Sequence, residues 1–335
     1  MDREQEEIQF LGLPGILKES CDLVVSSPWR KIFAQITLLL ILPLSSVYLS
    51  HIEITEILFR RIMHNEYMLE WTPEGTRIHQ RIAHMLRSEL TAFFLFKIAY
   101  ILFFILLALL STAAVVYTIA CIYTAKEITL ARVASVVPKV WKRLALTFLC
   151  SFALVFAYNV LSLLLLVLGA VTLGSVRVLG VACLVLFSVA YLAGLLYITV
   201  IWHLASVVSV LEQSYGFGAM RKTRGLIRGK MGISAAVFLV LALLFLGVEH
   251  MFKILVVFGE GKGLGERIGY GILCVLLLSI TMLFGLVAQT IVYFVCKSYH
   301  HENIDKSSLA DHLGAYLGEY VPLKSKDLQL QQFEV

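Results

Sequence analysis

The chain has 335 residues, of which 59% are hydrophobic and only 15% charged, with a mean hydropathy of +0.85 and a formal net charge of +5. A soluble domain carries about 25% charged residues, so the composition excludes a soluble globular enzyme. Its hydrophobicity excludes disorder, and 22 Gly and 6 Pro exclude collagen-like or low-complexity sequence, which leaves a multi-pass membrane protein.

Backbone polar groups find no water partner in hydrocarbon, so the fold class is all-α: a polytopic bundle of six transmembrane helices with amphipathic interfacial helices. A cytoplasmic segment is expected over residues 1–31. It opens acidic, without a secretory signal, and carries an amphipathic stretch from Leu11 to Ser26 followed by Trp29, Arg30 and Lys31. The transmembrane domain is expected over 32–296. Its first span, Ile32 to Leu49, would act as a signal anchor. The following loop, 50–91, is placed on the non-cytoplasmic side. It contains an amphipathic stretch from Ile52 to Met63, a turn at Thr72-Pro73-Glu74-Gly75 with Thr72 as the expected N-cap, and Ile78, Ile82, Met85 and Leu86 at helical spacing, so a small helical cap over the bundle is expected.

Span two runs from Ile98 to Ala120. The next loop repeats the opening pattern, with an amphipathic stretch from Ile128 to Val137 and then Trp141, Lys142 and Arg143. Spans three and four are Leu144 to Leu168 and Val178 to Ile201. A third amphipathic stretch, Tyr215 to Ile227, carries Arg221, Lys222 and Arg224 and ends in Arg228-Gly229-Lys230. Span five is Ile233 to Val248, extendable to Val257. After a glycine-rich connector at Gly259 to Gly265, span six runs from Ile268 to Cys296 and the tail fills 297–335.

Eighteen of the 28 Lys and Arg fall on the side shared by the two termini, which places both in the cytoplasm of an endoplasmic reticulum or plasma membrane protein. Three hairpins, each introduced by an interfacial helix with cations reaching phosphate, would give the recurring pattern. A shift of 88 aligns Ala131 with Ala219, Ser135 with Thr223 and Lys142 with Lys230. The general bias of cytoplasmic loops toward Lys and Arg gives the same pattern without duplication. The predicted headgroup contacts are Arg30, Lys31, Lys142, Arg143, Arg221, Lys222, Arg224, Arg228 and Lys230, with anionic membrane lipids as partners.

No catalytic, cofactor or metal site is expected. The six cysteines lie in apolar runs or the N-terminal segment and read as small buried hydrophobes. The histidines of loop 50–91 and of the tail lack zinc-helix spacing. Trp71 to Arg77 is similar to the phosphate-binding motif of glycerolipid acyltransferases, and His300-x4-Asp305 has their catalytic spacing. Here the order is inverted and the topology separates the two strings, whereas a general base must reach its substrate. Lys97, Glu249 and His250 lie near span ends, where they can snorkel. Asn159 and Gln289 are the polar groups expected to face the bundle interior.

In the tail, Ser307 to Asp311 is an N-cap pattern before an apolar stripe of Leu309, Leu313, Tyr316 and Leu317. Leu313 to Pro322 resembles the short motif by which partners bind the MLLE domain of polyadenylate-binding protein. Leu313 and Tyr320 stand as its anchors and Glu319 and Pro322 match, although Tyr replaces Phe, Leu317 replaces Ala and the turn Asn is missing. The whole chain resembles a plant family of uncharacterised six-span membrane proteins. That resemblance rests on Ser27-Pro28, on Leu211-Glu212-x3-Gly216-x2-Ala219, on Gly225-Leu226-Ile227-Arg228-Gly229-Lys230 and on Tyr316 to Leu323. More remotely the chain is similar to membrane domains attached to bacterial glycerophosphodiester phosphodiesterases. The resemblance implies no established activity, but family members have been named as partners of polyadenylate-binding protein.

The expected function is therefore non-enzymatic: a lipid-interface or scaffold role with a partner-recruiting tail and no direct nucleic-acid contact. The alternative is a transporter or channel for a small or amphipathic solute that uses Asn159 and Gln289. The oligomeric state is left open.

Overall fold

The computed structural model describes residues 10–26, 28–124, 129–173, 177–259, 261 and 263–300. Among them the chain is helical, without a strand. The helices are α1 (Leu13–Val25), α2 (Arg30–Glu70), α3 (Arg77–Tyr123), α4 (Leu130–Leu173), α5 (Arg177–Leu211), α6 (Phe217–Leu226), α7 (Met231–Val257) and α8 (Leu264–Tyr299). Six of these, α2, α3, α4, α5, α7 and α8, are long and apolar enough to cross a membrane, so this is a multi-pass membrane protein. They pair as three antiparallel hairpins, α2–α3, α4–α5 and α7–α8, and α8 also packs on α1, α2, α3, α5 and α6.

The first two spans differ from the sequence expectation. At 1.5 Å per residue α2 and α3 are roughly 60 and 70 Å long, about twice a hydrocarbon core of ~30 Å. The expected helical cap is therefore the continuation of these two helices, joined by a turn at residues 71–76. Gly75 takes φ +85 in that turn, which delivers Thr76 rather than Thr72 to the N-cap of α3. The Thr76 hydroxyl accepts from the His79 N–H at 3.2 Å, while that of Thr72 donates back to the Met68 carbonyl at 2.6 Å. Two widened turns of π type interrupt the spans. One, Thr37–Ile41, lies just before Pro43, whose ring and missing N–H disturb regular α pairing; the other, Lys253–Val257, ends α7.

Burial divides the bundle along its length. Every residue of α3 from Ser111 to Tyr123, of α5 from Leu204 to Leu211 and of α8 from Val287 to Cys296 is buried. A helix enclosed on all sides needs neighbours all round, and the amphipathic segments supply them. These segments were expected to lie in the headgroup layer. Their apolar faces are turned onto the bundle: α1 buries Ile16, Ser20 and Leu23, the start of α4 buries Val133, Val136, Val137, Val140 and Leu144, and α6 buries Ala219, Met220, Thr223 and Leu226. Together these parts form a collar at the end that holds the basic clusters.

Two details of the repeat expectation also change. The second amphipathic stretch is not a separate helix but the first turns of α4, which run through Pro138 into span three. Ala131 and Ser135 are exposed whereas their aligned counterparts Ala219 and Thr223 are buried. The burial pattern instead matches Val133, Val136, Val137 and Val140 to Gly216, Ala219, Met220 and Thr223. That is the ordinary i, i+3, i+4, i+7 stripe of an amphipathic helix.

Away from the collar the helices splay and show apolar side chains outward, among them Leu161, Leu164, Leu186, Leu192, Leu243, Ile272 and Ile280. In α8 this belt runs from Leu264 to Ile280, close to one hydrocarbon thickness at 1.5 Å per residue. The α2–α3 hairpin continues past it, since Arg267 in the first turn of α8 meets Glu53 while α2 runs on to Glu70.

Candidate functional site

The collar is knitted by residues on both sides of the α5–α6 and α6–α7 connections. Glu212, one residue past α5, accepts from Lys222 at 2.7 Å, from the Tyr293 hydroxyl at 2.6 Å and from Lys297 at 3.1 Å. Burial would raise its carboxyl, but the hydrogen bonds from Lys222 and Tyr293 and the charges of Lys297 and Lys222 outweigh that and hold it below the ordinary 4.5. The same connection is pinned to α4. The Gly216 N–H donates to Thr147 Oγ1 at 2.8 Å, and Thr147 shares a buried 2.6 Å hydroxyl contact with Ser209. Gly216 has φ +60 as the N-cap of α6, a conformation that side chains disfavour.

The α6–α7 turn is held by the end of α8. Gly229, at φ +87, lies so close to the Tyr299 ring that a Cβ would meet Cε1 at 2.6 Å. Lys230 sits over the same ring at 5.0 Å, and His300 Nε2 lies 3.0 Å from the carbonyl oxygens of both Leu226 and Arg228. Glu212, Gly216, Gly229 and the buried Leu211, Ala219, Leu226 and Ile227 of the family-like strings around α6 are thus parts of one clamp.

Of the predicted headgroup cations, Arg30, Lys31, Lys142, Arg221, Arg224 and Arg228 are exposed, and none of the six meets a carboxylate among the described residues. Arg143, Lys222 and Lys230 are half-buried; Lys222 is paired with Glu212 and Lys230 is stacked on Tyr299. An open cleft of about 190 Å³ is lined by Tyr197 of α5, Arg224, Ile227, Arg228 and Met231. It brings two of the predicted arginines together and adds Tyr197, which sequence reading passed over as one more apolar residue of span four.

The two intramembrane polar residues are not brought together. Gln289 is 1% exposed, and its amide oxygen accepts from His203 Nδ1 at 2.9 Å, with the His203 ring stacked on Phe238. Asn159, expected to face the interior, is exposed on the α4–α5 hairpin, where it accepts from the Tyr191 hydroxyl at 2.8 Å and donates to Val155. The reason is that α4 packs on one side only, so a polar residue there can be satisfied by its hairpin partner. His203 was missed because the predicted fourth span stopped at Ile201, two residues short of it.

At the other end of the bundle Lys97 and Glu249 turn inward rather than snorkelling. Lys97 donates to His51 Nε2 at 2.8 Å and Thr55 at 3.0 Å, and Glu249 pairs with Lys253 and accepts from the Tyr48 hydroxyl at 2.8 Å. Arg267 joins Glu53 at 3.1 Å. The acyltransferase-like string, residues 71–77, is at the tip of the α2–α3 hairpin and His300 is in the collar, at opposite ends of the molecule. Asp305 and the tail residues Leu313, Glu319, Tyr320 and Pro322 lie outside the described residues.

Among the described residues no three His, Cys, Asp or Glu side chains gather into a metal-binding group. No curated protein and no solved structure matches the chain. Residues 1–333 match one family model, described as a domain of unknown function, DUF8558. Because that match covers nearly the whole chain, the chain belongs to the DUF8558 family.

Proposed function

We propose that the protein is a non-enzymatic membrane protein whose collar engages anionic lipid headgroups on the cytoplasmic leaflet and whose tail recruits a soluble partner. The observation that carries this reading is the group of six exposed cations, Arg30, Lys31, Lys142, Arg221, Arg224 and Arg228, none with a carboxylate partner among the described residues. They sit at the start of α2, in the early turns of α4, on α6 and in the α6–α7 turn, all at the collar end of the bundle. Near an anionic leaflet each is worth about 1 kcal/mol, and salt screens the attraction.

The test is reconstitution in vesicles containing spin-labelled phosphatidylserine or phosphatidylcholine. Enrichment of the anionic label beside the protein that fades with added salt supports the reading; equal partition of the two labels refutes it. The cytoplasmic placement of the collar follows the distribution of Lys and Arg. It predicts that an Asn-x-Ser/Thr acceptor introduced at residues 72–75 is glycosylated in microsomes and that one introduced beside Arg228 is not.

Recruitment rests on the sequence of the tail. The full chain in detergent should retain the MLLE domain of polyadenylate-binding protein and lose it on Leu313→Ala or Tyr320→Ala. Equal capture by all three proteins would remove the partner from the proposal.

A further inference from the structure

We infer that the cleft between α5, α6 and the first turn of α7 is a binding site for one phosphoryl group, carried by a lipid headgroup or by a free phosphate ester. The inference rests on the headgroup reading above and narrows it from a charged surface to a single pocket.

Three features of the cleft lead there. The first is its donor set. Arg224 and Arg228 both line it and neither is neutralised by a carboxylate among the described residues, in contrast to neighbouring Lys222 on Glu212. Two guanidinium groups present forked N–H donors that match phosphate oxygens, and the phenol of Tyr197 adds a second kind of donor in the same lining. A phosphate monoester, with up to two negative charges, complements two guanidinium groups.

The second feature is depth. Tyr197 stands where α5 changes environment: Val181, Leu186 and Leu192 are exposed in the apolar belt, while Ile198, Val200 and Ile201 are buried in the collar. The cleft therefore opens where hydrocarbon gives way to headgroups, the level at which Tyr is commonly found. Ile227, 3% exposed, and Met231 give the lining an apolar part beside the arginines. An ester group that is charged at one end and apolar at the other fits that arrangement.

The third is rigidity. The turn carrying Arg228 is fixed by Gly229 against the Tyr299 ring and by His300 at the carbonyl oxygens of Leu226 and Arg228. Arginines on a pinned backbone lose less freedom on binding than arginines on a mobile loop.

The experiment uses the full chain in a neutral detergent. Binding of short-chain phosphatidic acid, short-chain phosphatidylcholine and inorganic phosphate is followed by native mass spectrometry and by equilibrium titration. The expected result is saturable binding of one phosphatidic acid per chain and none of phosphatidylcholine. Arg224→Gln and Arg228→Gln should each weaken it about tenfold, the scale of one charge-assisted hydrogen bond, and Tyr197→Phe by less. Arg224→Lys should recover part of the loss.

Lys18→Gln, at an exposed position on α1, removes one charge outside the cleft and should leave binding unchanged. Inorganic phosphate that competes at similar concentration assigns the site to free phosphate esters, and failure to compete assigns it to the lipid; both outcomes support a phosphoryl site. Absence of saturable binding, or an equal loss in the Lys18 variant, overturns it. Salt-dependent enrichment of anionic lipid that persists without saturable binding would leave the surface reading standing and the pocket refuted. An unchanged unfolding midpoint for each variant separates lost binding from lost folding.

Discussion

Glu212→Gln is the substitution with the sharpest consequence for the collar. The Glu212 side chain is 13% exposed, that of Lys297 19% and that of Lys222 35%. Removing the charge leaves two cations facing a neutral amide and weakens the bond from Tyr293. A solvent-exposed pair contributes at most about 1 kcal/mol, and breaking a buried one costs about 3–5 kcal/mol. With Lys297 and Tyr293 near the buried limit and Lys222 discounted for its exposure, the expected loss is about 3 kcal/mol. The assay is equilibrium unfolding of the full chain in mixed micelles. A double-mutant cycle with Lys297→Met should return a coupling energy of about 2 kcal/mol.

The pH dependence gives an independent check. Because the folded carboxyl lies below its ordinary 4.5, its contribution is complete above that pH and is lost as the pH falls through the folded value. The wild type should therefore lose stability more steeply than Glu212→Gln below pH 4.5. A coupling energy near zero, or parallel acid profiles for the two proteins, would refute the idea that this carboxylate joins α5, α6 and α8.

Gly229→Ala should destabilise by about 2 kcal/mol or more through its positive φ and the Tyr299 contact, and Tyr299→Ala in the same chain should relieve the contact part; a neutral Gly229→Ala in the unfolding assay refutes this. Thr147→Val deletes the acceptor of the Gly216 N–H and the contact with Ser209, at an expected cost of about 2 kcal/mol, and Thr147→Ser should recover most of it; equal stability of the two variants would argue against the pin. Gln289→Leu leaves the His203 ring N–H without its acceptor and should cost about 1–3 kcal/mol, whereas Asn159→Leu, on the exposed hairpin, should stay within about 1 kcal/mol; the reverse ranking would contradict the placement of both residues.

Much of the architecture was legible from where the charges stand. Six apolar runs and their basic flanks locate all six long helices, because a charged residue at mid-membrane is costly and leaves a readable gap. Helix ends were less legible. From Ile52 to Glu70 and from Arg77 to Arg87 the polar residues end the apolar runs but not the helices, since α2 and α3 support each other beyond the apolar belt through contacts such as Asn65 to Glu89 at 2.7 Å.

Amphipathic periodicity found α1, the start of α4 and α6, but it reports only that one face is apolar. Whether that face meets lipid or protein depends on long-range partners, and here α1 meets α7 and α8. Of the candidate site, the cations were legible in their clusters. Their sorting was not, because pairing of Lys222 with Glu212 and exposure of Arg224 and Arg228 depend on the Gly216 and Gly229 turns.

The docking of α1 on α7 and α8 also fixes an order of assembly. Residues 13–25 precede all six long helices in the chain, yet beyond a small contact with the start of α2 they pack on residues beyond 231. At about 5–20 residues per second, the N-terminal helix waits roughly 10–40 s for its seat. During that interval α1 lacks most of its final neighbours. Closure comes when the last hairpin inserts, so a chain that stops after α6 would present an uncovered N-terminal helix to quality control. Docking of α1 thereby reports that α7 and α8 have arrived.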